Sequence, residues 1–301
     1  LGAYGAAASL GFSGKIDQTC IFDYALPATG TNSVATLYGG GTAVTNPMSL
    51  SPKPVAAYQL GDQSVDSGAN YLVPNNSLQD YVFNIQPSQK INTTLTPPTG
   101  ANNRTISVWF KTGVNAFENI CGYGTAATSQ GFDICTHGSP STYSIGVHVM
   151  SPTIIANGVY TPNQWNHYAV TYDGTILRGY LNGEPVNTST IALNTGTSVD
   201  FTIGGGAYTP ANGFSGDVSN IAIWDSVLTA SNVSTIYNNG VPNDISSLSP
   251  NNWYKLNAQD TFDGTNWTIK DYAGSNDGTS SGMTSANLVQ SNLQHTSGYS
   301  P

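Results

Sequence analysis

Two turn dipeptides, Asp173-Gly174 and Asn182-Gly183, each follow a segment whose apolar residues recur at strand spacing. Residues 165–172 (WNHYAVTY) precede the first dipeptide, and residues 176–181 (ILRGYL) precede the second. Both dipeptides tolerate the positive φ angles of a type I′ turn, which joins neighbouring antiparallel strands. Two such turns in succession predict a meander of three antiparallel strands. Residues 105–110 (TISVWF) alternate apolar and polar side chains for most of their length and predict a further strand.

The composition extends the β prediction to the rest of the chain. Charged residues make up 8% of the 301 residues, against about 25% in an average soluble domain. Glu occurs only at Glu118 and Glu184, and Lys is rare, so strong helix formers are scarce. The chain instead holds 17 Tyr and many β-branched residues, which favour strands. We therefore predict an all-β fold, with one short helical turn at residues 229–237.

The charge balance excludes two classes of partner. The formal net charge is -9, and only 8 residues are Lys or Arg. Nucleic acids and anionic membranes bind through a basic footprint, which this sequence lacks. No apolar run approaches the roughly 18 residues that a transmembrane helix requires. We predict neither nucleic-acid binding nor membrane insertion.

An internal repeat indicates that the chain contains more than one domain of the same kind. Residues 11–16 (GFSGKI) recur about 200 residues later as residues 213–218 (GFSGDV). A period of this length corresponds to whole domains rather than to solenoid repeats. Three further matches keep the same order, and they pair residues 21–23 with 223–225, 35–39 with 234–238, and 57–60 with 253–256.

Two joints rich in Pro, Ser and Asn mark the predicted domain boundaries. They lie at residues 46–54 and 240–251, and prolines at this density favour an extended, stiff connector. We predict that residues 1–45 are the closing strands of a preceding unit and that residues 46–54 are a Pro-rich joint. We predict a complete domain at residues 55–242. Residues 243–301 are then the start of a further unit or a C-terminal extension.

Three sequence blocks carry a family resemblance. Residues 107–110 (SVWF), 165–174 (WNHYAVTYDG) and 180–183 (YLNG) together resemble the concanavalin A-like lectin/glucanase superfamily, most of all its laminin-G-like branch. Residues 216–225, followed by Leu228-Thr229, are similar to the closing strand and short helix of that family. The resemblance implies antiparallel two-sheet jelly-roll sandwiches, arranged in tandem.

A second, narrower resemblance concerns the joint at residues 46–54 and residues 21–26 before it. These segments are similar to repeated structural proteins of marine tailed phages. The likeness implies a virion protein in which repeated sandwiches act as rigid beads. Its partners would be other virion proteins and copies of itself.

The sequence offers no set of catalytic residues. Glycoside hydrolysis needs two carboxylates across the scissile bond, and glucanases of the resembling superfamily place them in a Glu-x-Asp-x-Glu strand. That set is absent, because Glu118 stands alone and Glu184 follows a turn. We expect His167 to be a packed histidine, and we predict that the protein is not an enzyme. The histidines that lack metal-ligand spacing are His137, His148 and His295.

Calcium and sugar sites stay unassigned at this stage, and no cofactor is predicted. The resemblance implies that calcium could sit at a sandwich rim among Asp and Asn oxygens, but it names no ligands. Sugar binding usually needs an exposed aromatic ring, whereas Trp109, Trp165 and Trp224 are expected to fill the core. The available carboxylates are Asp62, Asp173, Asp217 and Asp225, and the aromatic candidates in predicted loops are Tyr123, Tyr143 and Tyr208.

The three cysteines give no disulfide framework, because their number is odd. Cys121 and Cys135 are expected on neighbouring strands, so one bridge between them is geometrically possible. Buried thiols are the favoured alternative. A catalytic role for Cys20 or either of the others is disfavoured, since none has a His and an acid in a recognisable setting.

The sequence favours a non-enzymatic virion structural protein, either a fibre or a capsid-decorating element that also binds host surface glycans. The alternative is a secreted or cell-surface carbohydrate-binding adhesin, or an extracellular filament subunit. The first predicts a location on the virion surface, and the second an extracellular or cell-surface location. Fold alone does not decide between them.

Overall fold

The computed structural model divides the chain into two compact units, Leu1–Asp80 and Tyr81–Pro301. The boundaries predicted at residues 45, 54 and 242 do not fall at this division, and they stay a prediction. The structure describes residues 19–31, 33–38, 54, 56–58, 65–66, 71–72, 80–139, 142–150, 154–207, 213–291 and 293.

The first unit contains a short helix and two strand pairs. β1 (Thr19–Ile21) pairs antiparallel with β2 (Ala56–Tyr58), and α1 (Val34–Tyr38) lies between them in the chain. β3 (Val65–Asp66) pairs antiparallel with β4 (Tyr71–Leu72).

The second unit is a sandwich of two antiparallel sheets. Its strands are β5 (Asp80–Ile85), β6 (Lys90–Asn92), β7 (Arg104–Lys111), β8 (Glu118–Gly124), β9 (Gly131–Ser139), β10 (Thr142–His148), β11 (Ile154–Val159), β12 (Asn166–Tyr172), β13 (Ile176–Leu181), β14 (Glu184–Thr190), β15 (Val199–Ile203), β16 (Gly216–Trp224), β17 (Asn252–Tyr254), β18 (Thr261–Phe262), β19 (Trp267–Ile269), β20 (Gly278–Ser281) and β21 (Leu288–Ser291). One sheet has nine strands in the order β11-β10-β9-β8-β15-β6-β20-β19-β18. The other has eight, in the order β14-β13-β12-β7-β16-β5-β21, with β17 paired to β16. The prediction of an all-β, antiparallel two-sheet jelly-roll sandwich is confirmed.

The predicted meander is present as β12, β13 and β14. Leu181 pairs with Glu184, so only Asn182 and Gly183 join β13 to β14. Their φ angles are 52° and 83°, as a type I′ turn requires. The prediction for this turn is confirmed.

The turn at Asp173 differs from the prediction. β12 ends at Tyr172 and β13 begins at Ile176, which leaves a loop of three residues instead of two. The Asp173 carboxylate accepts hydrogen bonds from the amides of Thr175 and Ile176 at 3.0 and 2.7 Å. The prediction of a two-residue type I′ turn is wrong here, because the aspartate side chain closes a longer loop.

A helix covers the face of the eight-stranded sheet that points away from the other sheet. This helix, α2 (Ala230–Tyr237), begins after Thr229, whose Oγ1 accepts a hydrogen bond from the Asn232 amide at 3.2 Å. The Tyr237 ring stacks on Trp109 of β7 at a centroid distance of 5.8 Å. The helical turn predicted at residues 229–237 is confirmed. No helix among the described residues is long and apolar enough to cross a membrane.

Residues 252–291 contribute strands to both sheets. β17 joins β16 and β21 joins β5 in the eight-stranded sheet, while β18, β19 and β20 extend the nine-stranded sheet beyond β6. Trp267 of β19 is fully buried, with its ring 4.9 Å from that of Phe83 on β5. Leu293 is buried in one cluster with Val82 and Trp109. The C-terminal segment therefore belongs to the core of the second unit.

Candidate functional site

A pocket of about 550 Å³ opens at one rim of the second unit. Three segments line it: the loop between β6 and β7, the end of β16, and the start of β17. Its size lies within the range of about 300–1,000 Å³ that is usual for small-molecule sites. The polar lining residues are Thr96, Asn102, Asn103, Asp225, Asn251 and Asn252, and the apolar ones are Pro98, Ala101 and Ile223.

A fully buried arginine, Arg104, holds the first wall of the pocket. Its guanidinium donates hydrogen bonds to the carbonyl oxygens of Gly100 (2.8 Å) and Asn102 (2.9 and 3.0 Å). It also donates to the Tyr123 hydroxyl at 2.9 Å, and that hydroxyl in turn donates to the Pro98 carbonyl at 2.7 Å. The five donors of a guanidinium suit several carbonyl acceptors at once. The loop that carries Asn102 and Asn103 is thus fixed from inside the sandwich.

A buried carboxylate, Asp271, holds the opposite wall. One carboxylate oxygen accepts hydrogen bonds from the amides of Trp253 (2.9 Å), Ala273 (3.2 Å) and Gly274 (3.0 Å). The other accepts from Nδ2 of Asn252 at 2.6 Å. This bond sets the orientation of the Asn252 side chain, which lines the pocket.

The third wall forms where β16 ends. The Asn251 amide donates to the Ile223 carbonyl at 2.8 Å, and Oδ1 of Asn251 accepts from the Asp225 amide at 2.9 Å. Nε1 of Trp224 donates to the Leu248 carbonyl at 2.9 Å, which ties the segment before β17 to the end of β16. Asp225 itself is exposed, so its carboxylate is accessible from the pocket.

The lining of this pocket is suited to a hydroxyl-rich, uncharged ligand. Asparagine amides both donate and accept hydrogen bonds, and the Asp225 carboxylate accepts them. The lining residues include no Lys, Arg or aromatic side chain. Hydrogen bonds rather than ring stacking or cation contacts therefore define what this pocket can recognise.

A family match covers two of the three segments that line the pocket. Residues 86–234, which contain β6 and run into α2, match the laminin-G family model described as the concanavalin A-like lectin/glucanases superfamily. This match agrees with the jelly-roll fold that the family resemblance implies. A comparison of the sequence with curated proteins gave no match.

The chain is similar to several solved structures. One is a "putative carbohydrate binding protein" from Bacteroides ovatus, with a TM-score of 0.53 and 19% identity, covering 79% of this chain and 67% of that one. A second is an SAP-like pentraxin from Limulus polyphemus, with a TM-score of 0.40 and 22% identity, covering 55% of this chain and 83% of that one. A third is the CBM40 of a Ruminococcus gnavus sialidase bound to sialyllactose, with a TM-score of 0.37 and 14% identity, covering 49% of this chain and 97% of that one. At 19% identity, the likeness to the first of these structures establishes only the fold.

The structure does not bring together the described carboxylates that were available for calcium. Asp173, in the β12–β13 loop, accepts a hydrogen bond from the guanidinium of Arg178. Asp217 of β16 accepts a hydrogen bond from Nδ2 of Asn84 and lies 3.5 Å from Nζ of Lys111. Asp225 lines the pocket, and Asp62 lies outside the described residues. Within the part of the chain that the structure describes, no three His, Cys, Asp or Glu side chains form a group that could hold a metal ion. Calcium binding stays an implication of the family resemblance, without assigned ligands.

Two of the three loop tyrosines considered for sugar stacking, Tyr123 and Tyr143, are not among the lining residues. Tyr123 is fully buried in β8, so the expectation of an exposed loop ring is wrong, because this strand position faces the core. Tyr143 is half-buried in β10 with its ring edge-on to Tyr160, and Tyr208 lies outside the described residues. Trp109 and Trp224 are buried as predicted, whereas Trp165 is half-buried.

His167 is a packed histidine, as expected. Its Nε2 lies 2.7 Å from Oγ of Ser107, and both side chains are buried. Burial lowers the pKa of His167 to about 3, so the imidazole is neutral at physiological pH. A Ser–His pair without solvent access has no route to a substrate.

The two glutamates lie on different sheets. Glu118 is buried in β8, where burial raises its pKa to about 7, and its Oε2 accepts a hydrogen bond from the Ser215 amide at 3.3 Å. Glu184 is exposed at the start of β14, as its position after a turn predicts. They do not form the carboxylate pair that glycoside hydrolysis requires.

All three cysteines are free thiols. Cys121 and Cys135 lie on the neighbouring strands β8 and β9, as predicted, and both are fully buried. Burial raises the pKa of both thiols. The favoured expectation of buried thiols is therefore confirmed, and the alternative of a disulfide between them is wrong.

The sequence interpretation missed most of the pocket. Asn102-Asn103 and Asn251-Asn252 are two asparagine pairs that each immediately precede or open a strand. That pattern was a usable signal, because loops at one end of a sandwich converge. The fixing residues Arg104 and Asp271 gave no such signal, because only the folded chain shows that they are buried.

Proposed function

We propose that this protein is a non-enzymatic carbohydrate-binding module, secreted or displayed on a surface, that binds neutral glycans in the rim pocket. One observation carries the proposal: a pocket of amide and carboxylate groups whose walls are fixed by two buried charged residues, Arg104 and Asp271. The name of the similar Bacteroides ovatus protein also refers to carbohydrate binding.

The fixed walls favour binding because they reduce the entropy lost when a ligand is bound. Loops that are already ordered need not be ordered by the ligand, so more of the hydrogen-bond energy contributes to affinity. Asn252 is the clearest case, since Asp271 already fixes its amide group.

The charge of the pocket indicates which glycans bind. Asp225 is the one charged lining residue, and its charge is negative. Uronic and sialic acids carry carboxylates, which Asp225 would repel with no cation among the lining residues to compensate. Neutral hexoses and pentoses avoid this cost, so we expect them to bind and anionic sugars not to bind.

A glycan array followed by calorimetry on the full chain tests this proposal. We expect neutral glycans to give signal, and Asp225→Ala and Asn103→Ala each to weaken binding about tenfold, the effect of losing one good hydrogen bond. Asp200→Ala is the matched control, because Asp200 is an exposed carboxylate on β15 outside the pocket lining.

Two results would count against the proposal. One is binding that is confined to anionic glycans. The other is neutral-glycan binding that the Asp225→Ala and Asn103→Ala variants leave unchanged.

The virion hypothesis stays a prediction. It rests on residues 21–26 and on the joint at residues 46–54, of which only Pro54 is described. Locating the polypeptide by peptide mass spectrometry and immuno-electron microscopy of purified particles distinguishes a virion protein from a cell-surface or secreted one.

A further inference from the structure

The helix of the first unit, α1, exposes an apolar face. Val34 is 52% exposed and Tyr38 is 68% exposed, and no residue of the helix is buried. The helix is nevertheless well formed, because Oγ of Ser33 accepts a hydrogen bond from the Thr36 amide at 3.2 Å. An apolar helix face left in water is a surface that a partner normally covers.

The aligned helix of the second unit, α2, shows what kind of surface can cover the apolar face of α1. Residues 34–38 (VATLY) align with residues 233–237 (VSTIY). Val233 and Ile236 are 0% and 3% exposed, and Tyr237 stacks on Trp109. The same apolar pattern is thus buried against a sheet in the second unit and left open in the first.

Strand pairing repeats in the same register. β1 pairs with β2 through Thr19–Tyr58, Cys20–Ala57 and Ile21–Ala56. β16 pairs with β17 through Ile221–Tyr254, Ala222–Trp253 and Ile223–Asn252, which are the aligned residues. The β3–β4 pairs, Val65–Leu72 and Asp66–Tyr71, likewise align with the β18–β19 pairs, Thr261–Thr268 and Phe262–Trp267.

Among its described residues, the first unit differs in leaving one edge of β1 without a paired strand. β16 pairs with β7 and β5 in addition to β17. Among the described residues, β1 pairs only with β2. Ile21 of β1 is accordingly 52% exposed, whereas the aligned Ile223 is 1% exposed. An open strand edge and an apolar helix face in the same unit suit a partner that offers both a strand and a sheet face.

We propose that β1, α1 and β2 form an interaction surface for a concanavalin A-like sandwich equivalent to β5–β15, carried by the same polypeptide on the N-terminal side of β1. Its β7-equivalent strand pairs with the open edge of β1. Its Trp109-equivalent ring receives Tyr38. Residues 19–58 would then complete that sandwich in the way that residues 221–254 complete the second unit. This inference is independent of the proposed glycan binding.

A fusion protein tests the inference. Residues 81–202 of this chain are placed ahead of Leu1 of the full chain, so that Leu1 takes the position of Ile203 in the repeat, and hydrogen exchange is followed in residues 19–38. We expect exchange of these amides to slow at least tenfold in the fusion, and Tyr38 to lose its reactivity towards tyrosine nitration. The same exchange rate in the fusion and the unfused chain would overturn the proposal.

Two further measurements distinguish a preceding sandwich from a second copy of this chain as the partner of the surface. Trp109→Ala in the added copy alone removes the ring that receives Tyr38, and we expect it to reverse most of the protection. Sedimentation of the unfused chain tests pairing between two copies. A concentration-dependent dimer that Tyr38→Asp abolishes would assign the surface to self-association and overturn the sandwich as its occupant.

Discussion

At the scale of single residues, the candidate site depends on two buried ionisable side chains, Arg104 and Asp271. The Arg104 guanidinium donates hydrogen bonds of 3.0 Å or less to four carbonyl and hydroxyl oxygens. The Asp271 carboxylate accepts hydrogen bonds from several amides. A buried charge is tolerated only when it is hydrogen-bonded this completely. The same residues that order the pocket loops therefore also determine part of the stability of the domain.

We expect Arg104→Met to lower the free energy of unfolding by about 3 kcal/mol or more, since bonds to a charged group contribute about 1.5–3 kcal/mol each. It should also weaken glycan binding, because the loop bearing Asn102 loses its anchor. Arg178→Met is the control: Arg178 makes a surface ion pair with Asp173, worth less than about 1 kcal/mol. Urea unfolding measures both. Equal losses in the two variants would contradict this account.

Two buried carboxyl groups predict a dependence of stability on pH. Burial raises the pKa of Glu118 and of Asp260 to about 7 each. The folded state therefore binds these protons more tightly than the unfolded state. Their contribution to the free energy of unfolding is present below their unfolded pKa values and is lost as pH rises to about 7.

We expect Glu118→Gln to be more stable than the parent at pH 8, by an amount on the order of 1 kcal/mol, and equal to it at pH 4. Glutamine keeps the acceptor for the Ser215 amide but carries no charge to desolvate. Glu184→Gln at the exposed turn is the control and should change neither value. A Glu118→Gln effect that is the same at both pH values would exclude titration of this group as the cause.

At the scale of elements, the hairpin turn and the helix are coupled. Gly183 has a φ of 83°, and a Cβ there would lie 2.8 Å from Cδ1 of Tyr237 at the end of α2. The turn that closes β13 and β14 thus also leaves the space in which the last residue of α2 packs on Trp109.

We expect Gly183→Ala to destabilise the second unit by about 2–3 kcal/mol, as strain at positive φ adds to the clash with Tyr237. Gly264→Ala separates the two causes, because Gly264 has a φ of 97° but nothing within 4 Å of its would-be Cβ. It should cost about 1 kcal/mol from strain alone. Thermal unfolding measures the difference, and equal costs would mean that the contact with Tyr237 contributes nothing.

At the scale of the whole molecule, the C-terminal strands complete the second unit. β17 and β21 add to one sheet, β18 to β20 add to the other, and Leu293 covers Trp109. Residues on both sheets therefore lose partners if this segment is absent.

We expect a chain that ends at residue 242 to lose cooperative unfolding, because the edges of β5 and β6 and the indole of Trp109 become exposed. Calorimetry and the dispersion of amide NMR signals measure this, with the full chain as the reference. A cooperatively folded product would instead favour the predicted complete domain at residues 55–242.

The sequence by itself determined the class of fold, the hairpin at Asn182-Gly183 and the helix after Thr229. These features depend on local rules: side-chain alternation, positive φ at Asn-Gly, and a capping hydroxyl. Local rules were insufficient at Asp173, where the side chain bonds the amides of a longer loop.

Only the tertiary structure decided which residues form the candidate site. The pocket combines three segments that are far apart in the chain, and the burial of Arg104, Tyr123 and Asp271 depends on what both sheets place around them. Burial is a property of the packed sandwich and is not encoded in any one segment. The sequence therefore indicated that the chain would form a lectin-like sandwich, and folding alone assembled the asparagines, Asp225 and their supports at its rim.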